Sequence, residues 1–161
     1  MEVLFEYINR VRFKNRPNAV PSSYRIVYKI TQILLIMKVC CKGRKGCSLE
    51  KIQIISDAIS YGKSLDRLKL FIQGEIEVIT IRYDPSLNRA ITYAMAEGLI
   101  YVQGNKLFRL SEKGKLYIKE VQRNKELYRK EKEILEFIST KLTEEMIQKL
   151  IMDWRLDNVK N

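Results

Sequence analysis

Residues 84–115, DPSLNRAITYAMAEGLIYVQGNKLFRLSEKGK, constrain the fold most, because this stretch marks where its own elements start and stop. Asp84 can accept hydrogen bonds from the first amides of a helix, and Pro85 suits the first helical position. Apolar residues then recur at helical spacing up to Gly98, which suits a left-handed helix end. They are Leu87, Ile91, Ala94 and Met95. The pattern predicts a helix from Pro85 to just before Gly98.

Two short β-prone runs, 99–103 and 106–110, follow this helix and are joined by Gly104-Asn105. Both joining residues tolerate a positive φ, which a two-residue hairpin turn requires. Ser111 then has a side chain suited to capping a further helix. A helix, a hairpin and a second helix in this order predict the second half of a winged helix, with the hairpin as its wing.

Apolar stripes at helical spacing predict more helices on both sides of this stretch. The most apolar run, 26–41, predicts a long core helix, because it is shorter than a membrane span and is interrupted by Lys and Gln. A second helix is expected to end at Gly62. Two or three amphipathic helices are expected beyond the hairpin. The expected N-caps of these helices are Ser22 or Ser23, Ser48, Ser64, Ser111 and Thr143.

The run EIEVITIRYD before Asp84 carries apolar residues at Ile76, Val78, Ile79 and Ile81, which predicts a strand able to pair with the hairpin. The patterns together predict a mainly α protein with a small β-hairpin or sheet, in the α+β class. We expect a winged helix-turn-helix domain over residues 22–121. An N-terminal basic extension over 1–21 and a C-terminal helical extension over 122–161 would flank it.

The net charge of +11 suggests an acidic partner, of which nucleic acid is the first candidate. Residues 1–47 carry ten basic and two acidic side chains, 48–110 eight and seven, and 111–161 twelve and ten. The excess therefore lies mainly before the second helix, which favours contacts to the DNA backbone over base reading. An ordinary solvated surface explains the same charges and stays open. The candidate DNA-binding residues are Arg10, Arg12, Lys14, Arg16, Lys42, Arg44, Lys45 and Arg89.

The last helix carries an apolar stripe whose members are Ile147, Leu150, Ile151 and Trp154. Such a stripe either packs on the domain or offers a helix face to a partner protein. Both interpretations stay open, and these four residues are the candidate partner-binding site.

Several kinds of chemistry find no support in the sequence. The chain has no His, which removes the commonest general base, and no nucleotide-binding or hydrolase motif is present, so we expect no catalytic site. Cys40, Cys41 and Cys47 are too few for a zinc site and are expected to be buried or reduced thiols. We expect no metal, no cofactor and no membrane contact. The start of the chain lacks the order of a secretory signal, which favours the cytoplasm.

Residues 26–118 resemble the winged-helix middle components of bacterial ABC-type three-component systems, in particular the LmuC-like subunits of Lamassu anti-phage defence complexes. The resemblance rests on the apolar first helix and on the segments SLEKIQIISDAI, IRYDPSLNRAITYAMAEGLI and KLFRLSEKGK. Its most specific part is the run IRYDPSLNRA, with Arg82, Asp84, Pro85 and Asn88. Gly98 is a further matching position, and Leu110 and Gly114 belong to the closing segment, which many winged helices share.

The resemblance implies a non-catalytic adaptor that sits on an SMC-like ATPase encoded in the same operon and links DNA sensing to a nuclease-type effector. The basic segments would then touch the DNA backbone without sequence preference. The alternative is a free-standing winged-helix transcriptional regulator, which would read a DNA site with Asn88 and Arg89.

Overall fold

The structure is a computed structural model that describes residues 25–41 and 46–160. Within these ranges the chain forms seven helices and one two-stranded sheet, so the predicted α+β class is confirmed. The elements are α1 (Ile26–Cys40), α2 (Leu49–Ser60), α3 (Gly62–Ile72), α4 (Pro85–Ala96), β1 (Ile100–Val102), β2 (Phe108–Leu110), α5 (Glu112–Arg123), α6 (Arg129–Ile138) and α7 (Glu144–Val159).

Helix α1 is the centre of the core, as its apolar sequence predicts. Ile33, Leu34, Leu35 and Ile36 are consecutive and all fully buried, which requires neighbours on every side of the helix. Those neighbours are α2, α4, α5, α6 and β2. No helix in the described ranges is long and apolar enough to cross a membrane.

The sheet is an antiparallel hairpin in which Ile100 pairs with Leu110 and Val102 with Phe108. Cys47, just before α2, adds an antiparallel bridge to Phe108, with two backbone hydrogen bonds of 2.9 and 2.8 Å. The hairpin turn differs from the predicted two-residue connection. Its positive φ belongs to Lys106, after Gly104 and Asn105, which is the pattern of a three-residue loop ending in a left-handed residue.

Most predicted helix ends are confirmed. The side chains of Ser48, Asp84, Ser111 and Thr143 each accept a backbone hydrogen bond at the start of a helix. Gly98 has a φ of 70°, as expected after α4.

Other predicted helix ends are wrong. Helix α1 begins at Ile26 with Arg25 as its N-cap, whereas Ser22 and Ser23 lie outside the described residues. Helix α3 begins at Gly62 rather than after Ser64, because one extended residue, Tyr61, is enough to separate it from α2.

The predicted strand before Asp84 is not formed, since the described residues 73–84 contain no strand. Ile79 is buried and Ile76 and Ile81 are half-buried, whereas Val78 is exposed. Buried positions at spacings of three and two do not share one face of a strand, which needs a period of two. The segment instead covers the core as irregular chain between α3 and α4.

The C-terminal helices share the hydrophobic core of the preceding elements. Helix α6 packs on α1, and Leu135 and Ile138 are fully buried. Helix α7 packs on α2, where Glu144 Oε1 accepts a 3.0 Å hydrogen bond from the backbone N–H of Ser48. Three amphipathic helices therefore follow the hairpin, within the predicted number of two or three.

The cysteines differ in part from the expectation of buried or reduced thiols. Cys40 is buried, and its Sγ donates to the carbonyl oxygen of Leu135 at 3.8 Å. Cys41 and Cys47 form a disulfide, with Cα atoms 5.6 Å apart. The bridge to Phe108 places Cys47 close to the end of α1, a proximity that spacing in the sequence does not reveal.

Candidate functional site

Exposed aromatic and aliphatic side chains occur on both α4 and β1, two elements that contact each other, and these residues are here named the α4–β1 surface. Tyr93 and Tyr101 are 56% and 45% exposed, and Met95 and Val102 are also exposed. Arg89 lies four residues before Tyr93 on α4, so the two side chains share one side of the helix. Arg89 is the only charged residue between Pro85 and Ala96. The exposed residues of α4 and β1 thus include one charged side chain, Arg89, and Arg109 of β2 lies opposite Tyr101 across the hairpin.

Asn88, beside Arg89, is held against the body of the protein. Its Oδ1 accepts a 2.8 Å hydrogen bond from Nε2 of Gln53, a buried residue of α2. Arg89 is exposed and makes no hydrogen bond or ion pair with any other described residue. Of the two residues that a DNA-reading helix would use, only Arg89 is thus free of contacts within the described chain.

The start of α4 is fixed by Asp84. Its Oδ1 accepts hydrogen bonds from the backbone N–H and hydroxyl of Ser86, at 2.9 and 2.7 Å. Its Oδ2 lies 3.3 Å from Nζ of Lys29, whose side chain is only 7% exposed. Partial burial opposes ionisation of Asp84, but the Ser86 hydrogen bonds and the Lys29 charge outweigh it and lower the pKa of the carboxyl. The ion pair thereby ties α4 to the central helix.

A polar cleft of about 490 Å³ lies beside this ion pair, between α1, α2, α6 and the segment before α4. In this cleft Tyr28 donates a hydrogen bond to Glu131. Burial of the Tyr28 hydroxyl is the main cause that raises the pKa of Tyr28, and the neighbouring Glu131 carboxylate raises it further. Burial also raises the pKa of Tyr83. Lys29, Arg82 and Lys130 face Asp57, Asp84 and Glu131 around the cleft, so its charges balance.

A second cleft, of about 260 Å³, has three basic residues and no acidic one among the described residues that line it, and is here named the basic cleft. Lys38 comes from the last turn of α1, Arg109 from β2 and Lys115 from α5. Its remaining lining residues are Met37, Cys41, Gly46, Phe108 and Leu110. Sequence reasoning missed this cluster, because only the packing of the hairpin on α1 brings these three distant positions together.

Seven of the candidate DNA-binding residues, in 1–21 and 42–45, lie outside the described residues. They are Arg10, Arg12, Lys14, Arg16, Lys42, Arg44 and Lys45. Cys41 and Gly46, the described residues on either side of 42–45, line the basic cleft.

The structure divides the apolar stripe of α7. Ile147 and Leu150 are buried in the core, Ile151 is half-buried and Trp154 is 66% exposed. The first two are therefore core residues rather than a surface for a partner. Helix α7 begins against α2. Residues 152–160, which follow Ile151, are all exposed, so the last part of the helix lies outside the core.

The described residues hold no group of three or more His, Cys, Asp or Glu side chains that could bind a metal ion. No family model matches the chain, and no curated protein or solved structure is significantly similar to it. The fold and these surfaces together define a mainly helical α+β protein with one largely uncharged and one basic exposed site.

Proposed function

We propose that the chain is a winged-helix protein. The order of elements supports this: helix α1, the Cys47 bridge, helices α2 and α4, then the two strands of the hairpin. Helix α3 and the irregular residues 73–84 would be an insertion between the second and third helices. In this arrangement α4 occupies the place of the helix that DNA-binding members use to enter the major groove.

We further propose that the protein is a non-catalytic adaptor of a cytoplasmic anti-phage defence complex. It would bind an SMC-like ATPase, couple ATPase activity and DNA sensing to a nuclease-type effector, and touch DNA without sequence preference. The resemblance of the sequence motifs supplies this class of partner. The observation that carries the adaptor role is the largely uncharged α4–β1 surface.

The composition of this surface favours a protein partner over DNA bases. Tyr is enriched in the centres of protein interfaces, and Tyr93 and Tyr101 are both available there. Specific base reading relies on Arg, Lys, Asn and Gln side chains directed into a groove. Here Asn88 is bound to Gln53, and Arg89 is the only cation on α4.

One observation favours the alternative of a free-standing DNA-binding transcriptional regulator. Arg89 is exposed on α4 and uncommitted to any other described residue, as a base-reading residue would be. A regulator of this kind would bind one DNA site with sequence preference in the absence of other proteins.

The adaptor proposal predicts an SMC-like ATPase encoded in the same operon, and co-expression with that ATPase tests it. The ATPase should co-purify with the wild type but not with a Tyr93→Ala, Tyr101→Ala double variant. A Tyr61→Ala, Tyr83→Ala variant is the matched control, because both of these tyrosines are 54% exposed and line the polar cleft instead. The isolated chain could instead protect its own promoter DNA from cleavage at physiological salt, with a preference for that sequence that Arg89→Ala abolishes. This result would overturn the adaptor proposal in favour of the regulator.

A further inference from the structure

We propose that the basic cleft, formed by Lys38, Arg109 and Lys115, binds a phosphate group of the DNA backbone. This inference rests on the DNA contact in the proposed function and gives it a location. None of the three residues belongs to α4, so the site is separate from the helix that would read bases.

The three cations reach the cleft from three elements that the core holds in place. Lys38 projects from α1, whose residues 31–37 are all buried. Arg109 stands in the middle of β2, where it pairs with Tyr101 across the hairpin. Lys115 lies one turn into α5, and its backbone N–H donates to the Ser111 carbonyl at 2.9 Å. The backbone positions of the three charges are thus fixed by the fold.

The charges are available to an anion. Among the described residues, neither Lys38 nor Arg109 has a hydrogen-bond or ion-pair partner. Lys115 contacts Glu112 at 2.9 Å, but both side chains are well exposed, and exposed pairs of this kind contribute little. A phosphate that enters the cleft can therefore replace Glu112 as the partner of Lys115.

The shape and lining of the cleft favour a phosphodiester group. Arg and Lys side chains donate several charge-assisted hydrogen bonds to phosphate oxygens, and Arg can do so with two parallel bonds. Met37, Phe108 and Leu110 provide apolar walls beside the three charges. The volume of about 260 Å³ lies below the usual size of a pocket for a complete small-molecule ligand. One phosphate of a longer chain fits this space better than a free nucleotide.

The salt dependence of DNA binding by the full chain tests the site. Fluorescence anisotropy with a short duplex of arbitrary sequence, between about 50 and 200 mM salt, gives the slope of log K against log salt. The triple variant Lys38→Gln, Arg109→Gln, Lys115→Gln should lower the magnitude of this slope by about 1, since the cleft neutralises one phosphate and each phosphate contact contributes about 0.9. Affinity at the lowest salt should fall on the order of tenfold or more.

The matched control removes the same charge from α7 and its C-cap residue, with Lys149→Gln, Arg155→Gln and Lys160→Gln. These three residues are exposed and do not line the basic cleft. The control should keep the wild-type slope. Circular dichroism establishes that both triple variants are folded. The single variant Lys38→Gln, which changes one exposed side chain, should weaken binding less than the triple variant does.

Equal slopes for the cleft variant and the control overturn the inference while leaving the adaptor proposal in place. Absence of DNA binding by the wild type overturns both the cleft and the DNA contact, whereas ATPase co-purification still tests the adaptor separately. Inorganic phosphate provides a third arm. If it displaces the duplex more strongly than chloride at equal ionic strength, and only when the cleft is intact, the duplex and phosphate compete for the cleft, which supports the inference. Phosphate binding that needs the intact cleft, together with equal salt slopes for the cleft variant and the control, would instead assign a site for free phosphate and overturn the inference.

Discussion

Gly114 of α5 lies directly against the backbone of Leu99, at the point where β1 begins. A Cβ atom on Gly114 would overlap the Leu99 carbonyl oxygen and would also touch the side chain of Leu110. The same carbonyl accepts hydrogen bonds from the Ser111 amide and hydroxyl, both at 3.0 Å. Helix α5 can therefore pack on the hairpin only because position 114 has no side chain.

The substitution Gly114→Ala should lower the free energy of unfolding by about 3 kcal/mol, the upper part of the range for overpacking, because a backbone oxygen cannot move aside cheaply. Urea denaturation measures this loss. Gly104→Ala is the control, since a Cβ there meets nothing within 4 Å and should change stability by less than about 0.5 kcal/mol. Equal stability of the two variants would show that α5 does not pack this closely.

Asp84 should make stability depend on acid. The pKa of its carboxyl is lower in the folded protein than its ordinary value of 3.8, so the folded state binds the proton less tightly than the unfolded chain. Its contribution is therefore complete above pH 3.8 and is lost as pH falls through the lower folded value. Asp84→Asn, which keeps a helix cap but removes the charge, should flatten the acid limb of a stability against pH curve.

Asp84→Ala should cost more than Asp84→Asn at neutral pH. Loss of the cap alone costs about 1 kcal/mol, and both variants leave the buried Lys29 without its carboxylate. Thermal denaturation of the two variants separates the cap from the ion pair. Identical melting temperatures would mean that the cap contributes nothing.

Asn88→Ala distinguishes a structural role from DNA reading. The substitution leaves Nε2 of the buried Gln53 without its acceptor, which should lower the free energy of unfolding by about 1 to 2 kcal/mol. DNA affinity and its salt slope should stay at wild-type values. A loss of sequence preference without a loss of stability would contradict this and support the regulator.

The cysteines should react unequally with an alkylating reagent. Unfolded without reduction, the purified chain should take up one label, at Cys40, and after reduction it should take up three. Reduction should also lower the free energy of unfolding by about 2 kcal/mol, because the closed loop is short. Cytosolic thiols are normally kept reduced, so rapid alkylation inside the cell before lysis tests whether the disulfide coexists with a cytoplasmic location. Three labels on the purified, unreduced protein would show that the disulfide is not formed.

Sequence reasoning succeeded where a single side chain decides the local structure. Ser48, Asp84, Ser111 and Thr143 mark helix starts because each supplies an oxygen to amides only two or three residues away. The same local logic located Gly98 after α4. The placement of α1 in the core followed from its apolar sequence, whereas the complete burial of Leu35 and Ile36, which lie outside a single helical stripe, did not.

The rest depends on contacts between residues far apart in the chain. The segment before Asp84 has β-prone residues, but whether it pairs is decided by the core that Ile76, Ile79 and Ile81 cover. The basic cleft and the Cys41–Cys47 disulfide both arise because the hairpin meets the end of α1. The spacing of residues within one segment does not reveal this contact between the hairpin and α1.

The Cys47 bridge to Phe108 also bears on the order in which the protein folds. The β1–β2 hairpin closes a short loop and can form within microseconds. The bridge between Cys47 and Phe108 instead pairs a residue just before α2 with one in β2, after α4. That long closure becomes favourable only after α1, α2 and α4 have packed together. The amide hydrogens of Cys47 and Phe108 should therefore exchange with solvent mainly through global unfolding, and their exchange rates would report on the cooperativity of the whole domain.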